Sequence, residues 1–519
     1  MTTLDAQAAL TTTTKQGSTP PKTFTDDRIR QLDTRLRVAG FDTPAILEII
    51  DLARPAPTDW HAAEDEHTDL GLTRCFVNDH HEVARFCYGR KTWLLWTGKN
   101  WAPDQDGAAQ RLMKATVIDL LTKAKNLPFG SQRHERAIKF ALRCESQRAI
   151  ASALTLAESE PELAITPDSL DTDPWAFNTL SGTVDLRTGQ LRPHRREDMI
   201  TLLAPVAYRP DAQCPRWLRF LAEIFGGNDA LIDFVQRSAG YSLTGDMSEQ
   251  VFFLCLGVGA NGKSVLLSTF HHIFGPYAFD PGFGVFEAAS RFSPHPEQLA
   301  VLAGRRLVTA SETAENARLN EQRLKVLAHG DTTSARHLYG DRFEFTPCAK
   351  IWLGVNHKPR VDDDSLGFWR SVRLIPFERQ FVGAAADKHL ADKLRAEAEG
   401  ILSWIVAGCL RWQAEGLGLP EAVEVASDDW RAESDPLAGF LAARCIEGPN
   451  CQITAADLFR AYRSWAAEEG IPEKSRLTST ALGRRLVERY HRDKWKGPDR
   501  VTVYRGVGLR ASEHGGVVT

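Results

Sequence analysis

Short apolar runs that end in glycine or a polar residue punctuate the middle of the chain. They lie at Val251–Leu256, Arg306–Glu312, Ala349–Asn356 and Leu374–Phe377. Short runs bounded by turn signals are typical of strands that are buried on both faces of a sheet. Stretches with the helical period lie between them. The alternation predicts an α/β core in which a parallel sheet is flanked by helices.

The regions on either side of this core mix hairpin and helical patterns. Tryptophans surround the polar stretch Thr97–Asn100 as in a β-hairpin, and a second hairpin pattern covers 175–189. Helical patterns cover 108–124, 134–156, 217–224, 228–240 and 401–416. The last part, from about 436 to 510, has the pattern of three helices followed by two short strands. We expect the tryptophans to pack in the domain cores rather than to stack on bases.

A glycine-rich loop connects the first apolar run to a helical pattern that starts near Val265. The loop fits the pattern G-x-x-x-x-G-K-[ST] and has the sequence Gly257-Val258-Gly259-Ala260-Asn261-Gly262-Lys263-Ser264. In such a loop, backbone N–H groups and the positive end of the helix face the phosphates of a nucleotide. We therefore predict a nucleotide site at Gly257 and 259–265, with Lys263 on the β- and γ-phosphates and Ser264 on Mg²⁺.

Polar side chains end the second and third apolar runs, where P-loop enzymes place groups that act on the attacking water. Glu312 is our candidate for polarising that water and for the metal site. Ser311 precedes it, so either Ser311 holds the metal through water or another carboxylate such as Glu315 contributes. Asn356 is the candidate sensor of the γ-phosphate. The alternatives are that Glu312 is an ordinary exposed residue and that Asn356 marks a turn before Pro359.

Two arginines, Arg370 and Arg373, precede the fourth apolar run. Arginine stabilises the charge that develops in phosphoryl transfer, often from a neighbouring subunit. We predict that one of them acts in this way. A structural ion pair with the acidic residues at 362–364 is the alternative.

A hairpin pattern surrounds Tyr339–Asp341, between the second and third runs. Arg336, His337 and Arg342 lie near its tip. A basic hairpin inserted in a motor core can grip a phosphodiester backbone. The alternative is a hairpin that only contacts solvent.

The C-terminal segment is locally basic. Arg484, Arg485, Lys494 and Lys496 belong to a group of nine cations between 484 and 510, which faces three acids. A helix followed by a basic hairpin suggests a winged helix that binds duplex DNA. A charged surface without a partner is the alternative.

Composition narrows the class of protein. The 519 residues include 43% hydrophobic and 25% charged residues, which is usual for globular proteins, and the net charge is −4. Any nucleic-acid site must therefore rest on local positive charge. Nine cysteines without a C-x-x-C pair argue against structural zinc and disulfides and favour a reducing cytosol. No apolar stretch is long enough to span a membrane, and no signal peptide is evident.

The order of these elements resembles the superfamily 3 helicases, and more narrowly the helicase part of phage and plasmid primase–helicases related to the poxvirus enzyme. The similarity runs from about residue 68 to the C-terminal region. The motifs that carry it are Trp175-Ala176-Phe177-Asn178, Gly182–Gly189, Gly240–Gly245, Gly259–Ser264, Ala310–Thr313, Gly330-Asp331, Asn356–Pro359 and Trp369–Phe377.

The resemblance implies an AAA+-like core, hexameric rings, ATP and Mg²⁺ sites between subunits and 3′-to-5′ movement on single-stranded DNA. It implies that Lys263 and Ser264 bind ATP·Mg²⁺, that Glu312 activates water and that Asn356 is the sensor. It also matches Lys325 to a basic motif that precedes a DNA-contacting hairpin. Some relatives carry two acids where this chain has one. The first 65 residues do not have the pattern of a primase, so we expect priming from a separate primase or polymerase.

These observations predict five segments. They are a mobile arm at 1–64, an α+β domain at 65–205, a helical collar at 206–248 that serves oligomerisation, the ATPase core at 249–425, and a winged-helix-like DNA-binding domain at 426–519. We predict an ATP-dependent replicative helicase of a phage, prophage or plasmid that acts on single-stranded and forked DNA in the bacterial cytosol. The alternatives are a replication initiator or defence switch that does not unwind processively, and a small-molecule kinase indifferent to DNA.

Overall fold

A computed structural model of the chain describes residues 66–288, 297–311, 317–336, 342–361, 365–383, 386–471, 473, 476–488, 490–496 and 501–510. The arm predicted at 1–64 lies outside these ranges. The chain divides into two compact units. The first contains the described residues up to Leu170, except Gly98–Asn100, and the second contains Gly98–Asn100 with the described residues from Asp171 onward.

The first unit combines four helices with a small sheet. Its helices are α1 (Asp69–His80), α2 (Ala108–Lys125), α3 (Gln132–Cys144) and α4 (Gln147–Ala157), and its strands are β1 (Ala84–Cys87), β2 (Thr92–Trp96), β3 (Trp101–Pro103) and β4 (Ala164–Ile165). The sheet order is β3-β2-β1-β4. Strands β2 and β3 pair in antiparallel fashion, with Trp96 opposite Trp101, so the first predicted hairpin is confirmed.

The single helix predicted over 134–156 is wrong, because the chain forms two helices there. The break falls after Cys144, where Ser146 adopts an extended conformation and its hydroxyl accepts a hydrogen bond from the N–H of Ala149. A serine in this position caps a new helix and competes with continuation of the old one. The helical period persists across the break, so the sequence pattern alone does not reveal it.

The second predicted hairpin forms the start of the second unit. Its strands β5 (Ala176–Thr179), β6 (Gly182–Asp185) and β7 (Gln190–Arg192) make an antiparallel sheet. Phe177 and Val184 are buried against the same core as Trp217 and Phe270. The division of the chain into two compact units falls at 170, and this sheet packs on the core that follows it, while the domain boundary near 205 stays a prediction.

A five-stranded parallel sheet forms the centre of the second unit. Its order is β14-β8-β13-β10-β9, and every neighbouring pair is parallel. The strands are β8 (Phe252–Leu256), β9 (Ala278–Phe279), β10 (Leu307–Ser311), β13 (Lys350–Val355) and β14 (Val372–Pro376). Strands β8 and β13 are almost fully buried, as their continuous apolar runs predicted. The predicted α/β core with a parallel sheet is therefore confirmed.

Helices and a hairpin surround this sheet. The helices are α5 (Pro215–Ile224), α6 (Asp229–Leu243), α7 (Lys263–Phe274), α8 (Glu297–Ala300), α9 (Glu321–His329), α10 (Leu366–Trp369), α11 (Leu390–Ala396), α12 (Ala398–Glu415) and α13 (Glu421–Glu433), and the hairpin strands are β11 (Thr333–Arg336) and β12 (Arg342–Phe345). Helices α6 and α12 pack together, and Arg411 on α12 forms two hydrogen bonds of 3.0 Å with the carboxylate of Asp233 on α6.

Two buried basic side chains tie the end of α6 to the central sheet. Arg306, just before β10, donates to the carbonyl of Leu243 at 2.7 Å, and Lys350, which starts β13, donates to the carbonyl of Thr244 at 2.6 Å. Lys350 Nζ also lies 4.6 Å from the centre of the Tyr241 ring. Donors at this position satisfy the unpaired carbonyls of a helix C-terminus. Burial lowers the pKa of Lys350 to about 7.

The C-terminal part of the second unit has its own core around Phe440, Tyr462 and Trp465. Its elements are α14 (Pro436–Arg444), β15 (Cys445–Thr454), α15 (Ala455–Glu468), α16 (Ser479–Glu488), β16 (Lys494–Lys496) and β17 (Thr502–Leu509). The three predicted helices are present, but the sequence pattern missed β15, which pairs with β17 in the sheet β15-β17-β16. Glycine, proline and asparagine interrupt its alternation, and the register shifts there.

Candidate nucleotide site and basic surfaces

The candidate nucleotide site lies where the central strands end. The register places Leu256 of β8 opposite Val355 of β13, and Ser311 of β10 opposite Gly354 of β13. Gly257 and Asn356 follow these strands directly, and the N–H of Gly257 donates to the carbonyl of Val355 at 3.2 Å. The carboxyl edge of a parallel sheet is where ligands bind in open α/β folds. The loop and Asn356 therefore share one edge of the sheet.

Close approach of neighbouring groups requires two of the loop glycines. A Cβ on Gly257 would overlap the carbonyl oxygen of Phe377 and the Asn261 amide, and a Cβ on Gly262 would lie 2.5 Å from Ile224 Cγ2. Gly262 also has φ +88°, in the left-handed region, and immediately precedes α7. The bare backbone at these positions lets the loop curl tightly around the helix end, as a phosphate cradle requires.

The Lys263 ammonium is held between the loop and the third apolar strand. It donates to the carbonyl of Gly257, to Asn261 Oδ1 at 3.1 Å and to Asn356 Oδ1 at 3.3 Å. Lys263 is only 6% exposed, and burial lowers its pKa. The arrangement brings together Lys263 and Asn356, which the sequence predicted separately for the same site. All three acceptors are neutral, so the ammonium has no carboxylate partner among these contacts.

The rest of the predicted loop faces outward. Gly259, Ala260 and Ser264 are exposed, and Val265 is half-buried against the core. Ser264 lies in the first turn of α7, where a hydroxyl can reach a cation bound to a phosphate. Glu312 follows Ser311 in the chain but lies outside the described residues, as does Glu315. In the part of the chain that the structure describes, His, Cys, Asp and Glu side chains form no cluster of three that could hold a metal.

A segment that the sequence analysis missed, Phe377 to Phe381, holds the loop at the edge of the sheet by hydrogen bonds, and we call it the strap. The N–H groups of Phe377 and Phe381 donate to the carbonyls of Leu256 and Ala260, each at 2.7 Å. Gln380 Nε2 donates to the carbonyl of Val258 at 2.8 Å. The segment follows β14, which pairs directly with β8. No local pattern signals this contact, because it depends on which strand lies next to β8.

The two candidate arginines differ in their surroundings. Arg373 is half-buried, and its Nη1 donates to the carbonyls of Arg370 and Val372 at 2.7 and 2.9 Å. Burial lowers the pKa of Arg373. Arg370 follows α10 and is exposed. Neither contact of Arg373 is an ion pair, and the acidic residues at 362–364 lie outside the described residues.

The predicted hairpin between the second and third runs is confirmed as the antiparallel pair β11–β12. Arg336 and Arg342 lie opposite each other at its outer end and are both exposed. His337 lies outside the described residues. Lys325 on α9 is half-buried, beside Gly367. The hairpin therefore concentrates positive charge at one end, while Lys325 lies on a separate element.

The C-terminal cations occupy two environments. Lys494 and Lys496 flank Trp495 on β16, and all three are exposed. Arg484 on α16 is also exposed, whereas the side chain of Arg485 is 11% exposed and lies 3.9 Å from the buried carboxylate of Asp435. The geometry of Arg485 therefore favours a role inside the C-terminal core, and Lys494, Lys496 and Arg484 form the accessible basic surface.

Comparisons with known proteins show what the chain is similar to. A family model described as D5 N terminal like matches residues 73–226. A candidate helicase of Acanthamoeba polyphaga mimivirus is 25% identical over 322 residues, which cover 57% of this chain and 33% of the relative. A candidate helicase of Frog virus 3 is 24% identical over 385 residues, with 58% of this chain and 39% of the relative covered. A candidate primase of African swine fever virus is 22% identical over 326 residues, with 57% of this chain and 34% of the relative covered.

The chain thus spans about a third of the length of the viral relatives that it matches. Among solved structures, the apo C-terminal region of NrS-1 aligns with a TM-score of 0.46 and 10% identity, covering 86% of this chain and all of that one. The D5 match and the viral helicases and primases make the chain similar to superfamily 3 primase–helicases, so the predicted resemblance is confirmed. In the described ranges, no helix is both long and apolar enough to cross a lipid bilayer.

Proposed function

We propose that this chain is an ATP-driven DNA helicase whose ATP sites lie between the subunits of a ring. The observation that carries the proposal is the position of the Lys263 ammonium, 3.3 Å from Asn356 at the carboxyl edge of the central sheet. This pairing joins the phosphate-binding group to the residue expected to sense the γ-phosphate. The likeness to viral helicases and primases supports DNA as the second substrate.

The proposed chemistry is attack of water on the γ-phosphate of ATP. Lys263 exchanges its neutral acceptors for phosphate oxygens, and the backbone N–H groups of the loop orient the phosphates. The Ser264 hydroxyl would hold Mg²⁺, whose charge would stabilise the negative charge of the phosphates. Glu312 orients the water. Asn356, released from Lys263, reports whether the γ-phosphate is present.

Arg370 is the better candidate for the arginine that acts across the subunit interface. Its side chain is exposed, whereas the guanidinium of Arg373 is held by two carbonyls of its own chain. An arginine that completes a neighbour's site must reach out of its own subunit. In this proposal Arg373 fixes the turn that presents Arg370, and the helical collar formed by α5 and α6 supports the ring.

DNA contacts are proposed at two basic surfaces. The β11–β12 hairpin, with Arg336, His337 and Arg342, binds one strand, and Lys325 on α9 provides a further DNA contact. The C-terminal part adopts the element order α-β-α-α-β-β, which supports a winged helix that presents Lys494 and Lys496 to duplex DNA. By family resemblance the ring is hexameric and moves 3′-to-5′ along the strand. The genetic element that it replicates is a phage, prophage or plasmid.

Strand displacement on a forked duplex tests the proposal. We expect separation of the strands with ATP and none with a non-hydrolysable analogue. Lys263→Ala should abolish ATP turnover and unwinding while leaving the melting temperature nearly unchanged, because the cost of burying the ammonium offsets the hydrogen bonds that it donates. Lys393→Ala, which removes an exposed lysine from α11, is the matched control and should retain both activities. ATP hydrolysis by a monomeric chain, at a rate that DNA does not change, would contradict the proposal.

A second candidate function is an ATP-dependent replication initiator or defence switch that binds DNA without unwinding it. The exposed Lys494-Trp495-Lys496 strand favours this alternative, since a basic aromatic surface can serve duplex binding alone. The same assay separates the two: an initiator should bind the forked duplex in an ATP-dependent manner and leave its strands paired.

A further inference from the structure

The loop between α2 and α3 presents one of the most exposed aromatic side chains of the described residues. Phe129 is 96% exposed and lies at the second position of a β-turn. The N–H of Ser131 donates to the carbonyl of Pro128 at 3.1 Å, and Gly130 has φ +77° at the third position. A type II turn requires positive φ at its third residue, and glycine adopts this φ without a steric cost.

Helix α3 continues directly from this turn. Ser131 caps it, accepting a hydrogen bond from the N–H of His134 at 3.1 Å, and the Phe129 ring lies 5.5 Å from the His134 ring. The turn and the cap together fix where the ring is displayed. Phe129 therefore presents its ring to solvent beside the start of α3.

A basic stripe extends from the turn along α3. Arg136, Lys139 and Arg143 lie at i, i+3 and i+7, so they share one face, and all three are exposed. The stripe runs about 10 Å along the helix axis. Phe140 and Ala141, on another face of α3, pack in the core of the first unit, and Ala137 is also buried. Glu135, the acid in the first turn, lies one turn before Lys139 and is its neighbour on the helix surface, so the net charge of the stripe is lowered at this end.

We propose that this surface, formed by Phe129, Arg136, Lys139 and Arg143, binds an unpaired nucleic-acid strand. The cations match the phosphates of a strand, and the displayed ring can stack on a base that is not paired. A duplex has no free base face for Phe129, which is why the surface fits a single strand. The choice of DNA over RNA rests on the proposed helicase function.

Phe129→Leu tests the stacking contact, since leucine keeps an apolar side chain and removes the aromatic face. We expect the Kd of the full chain for an oligo-dT strand, measured without nucleotide, to rise about 5-fold or more. Phe129→Tyr should bind within about 2-fold of the unchanged protein by the same stacking argument. Because the residue is exposed, neither variant should change the melting temperature. Binding of a duplex of equal length should be unaffected, and oligo-U shows whether RNA is also accepted.

Arg136→Gln with Lys139→Gln tests the basic stripe. Losing two phosphate contacts should reduce the slope of log Kd against log salt by about 1.4 for a single strand. Arg90→Gln with Lys91→Gln is the matched control, since it removes the same charge from two exposed residues of the same unit that lie off α3. Equal effects of the two double variants would overturn the stripe as a specific surface.

Photo-crosslinking locates the contact directly. With 5-iododeoxyuridine in the oligonucleotide, we expect a crosslink in the tryptic peptide Asn126–Arg133, whose only aromatic residue is Phe129. The inference would be overturned if Phe129→Leu bound DNA as tightly as the unchanged protein, or if the substitution changed the oligomeric state and not the affinity for DNA. Either result would leave the helicase proposal standing. Normal crosslinking with hydrolysis that ignores DNA would instead refute the helicase proposal and leave this surface standing.

Discussion

Gly257→Ala should disable the nucleotide site while leaving the fold intact. The added Cβ would lie 3.0 Å from Phe377 Cβ and would overlap the Phe377 carbonyl oxygen, whereas carbon atoms pack at about 3.5–4.0 Å. The loop must therefore move away from the strap by about 0.5–1 Å. A misplacement of this size can cost about 100-fold in rate. We expect the kcat for ATP to fall by about 100-fold, measured in a coupled assay with saturating single-stranded DNA.

Gly259→Ala is the matched control for this change. Gly259 also lies in the same loop and has φ +43°, but a Cβ there would meet nothing within 4 Å. Its cost is limited to backbone strain of about 1 kcal/mol, or roughly 5-fold in affinity. The neighbouring Ala260 already tolerates φ +51°. A Gly257→Ala enzyme within 5-fold of the unchanged protein, or a Gly259→Ala enzyme that is equally inactive, would refute the steric reasoning.

Three further predictions follow from other contacts. Arg370→Ala subunits mixed with Lys263→Ala subunits should recover part of the ATPase activity that each lacks alone, and a mixture that stays inactive at every ratio would argue against shared sites. The difference in melting temperature between the unchanged protein and Lys350→Met should shift against the unchanged protein as pH is lowered from 10 to 7. In this range the lysine of the unfolded chain binds a proton, whereas the buried lysine, with a pKa of about 7, does not. A difference that does not change with pH would contradict this prediction. Lys494→Gln with Lys496→Gln should weaken duplex binding and its salt dependence without changing basal ATP hydrolysis, and equal loss of both would point to misfolding instead.

Local signals predicted much of the fold. The apolar runs gave four of the five central strands, because strands buried on both faces lack polar alternation. Strand β9, with only two residues, is too short to leave a pattern. The helix break at Ser146 and the strand β15 were missed for a related reason. In both places, hydrogen bonds made by capping or pairing decide the structure against a weak local preference.

The chemistry of the site was partly visible in the sequence. Lys263 and Asn356 were each predicted from their positions after apolar runs, and their contact follows once β8 and β13 are neighbours. The choice between Arg370 and Arg373 was left open, since both precede the same strand. Only the surroundings of each side chain distinguish them, and these depend on the turn that precedes β14.

The sequence by itself determined which residue types follow which strands, because hydrophobic period and glycine content are properties of neighbouring positions. It thereby determined the glycine-rich loop and the resemblance to superfamily 3 helicases. The tertiary structure decided the order of the strands, and with it the strap from Phe377 to Phe381, the burial of Lys350 and the packing of the sheet at 176–192. These contacts join residues far apart in the chain, and their energy comes from burial and from pairing of polar groups. No window of sequence contains that information.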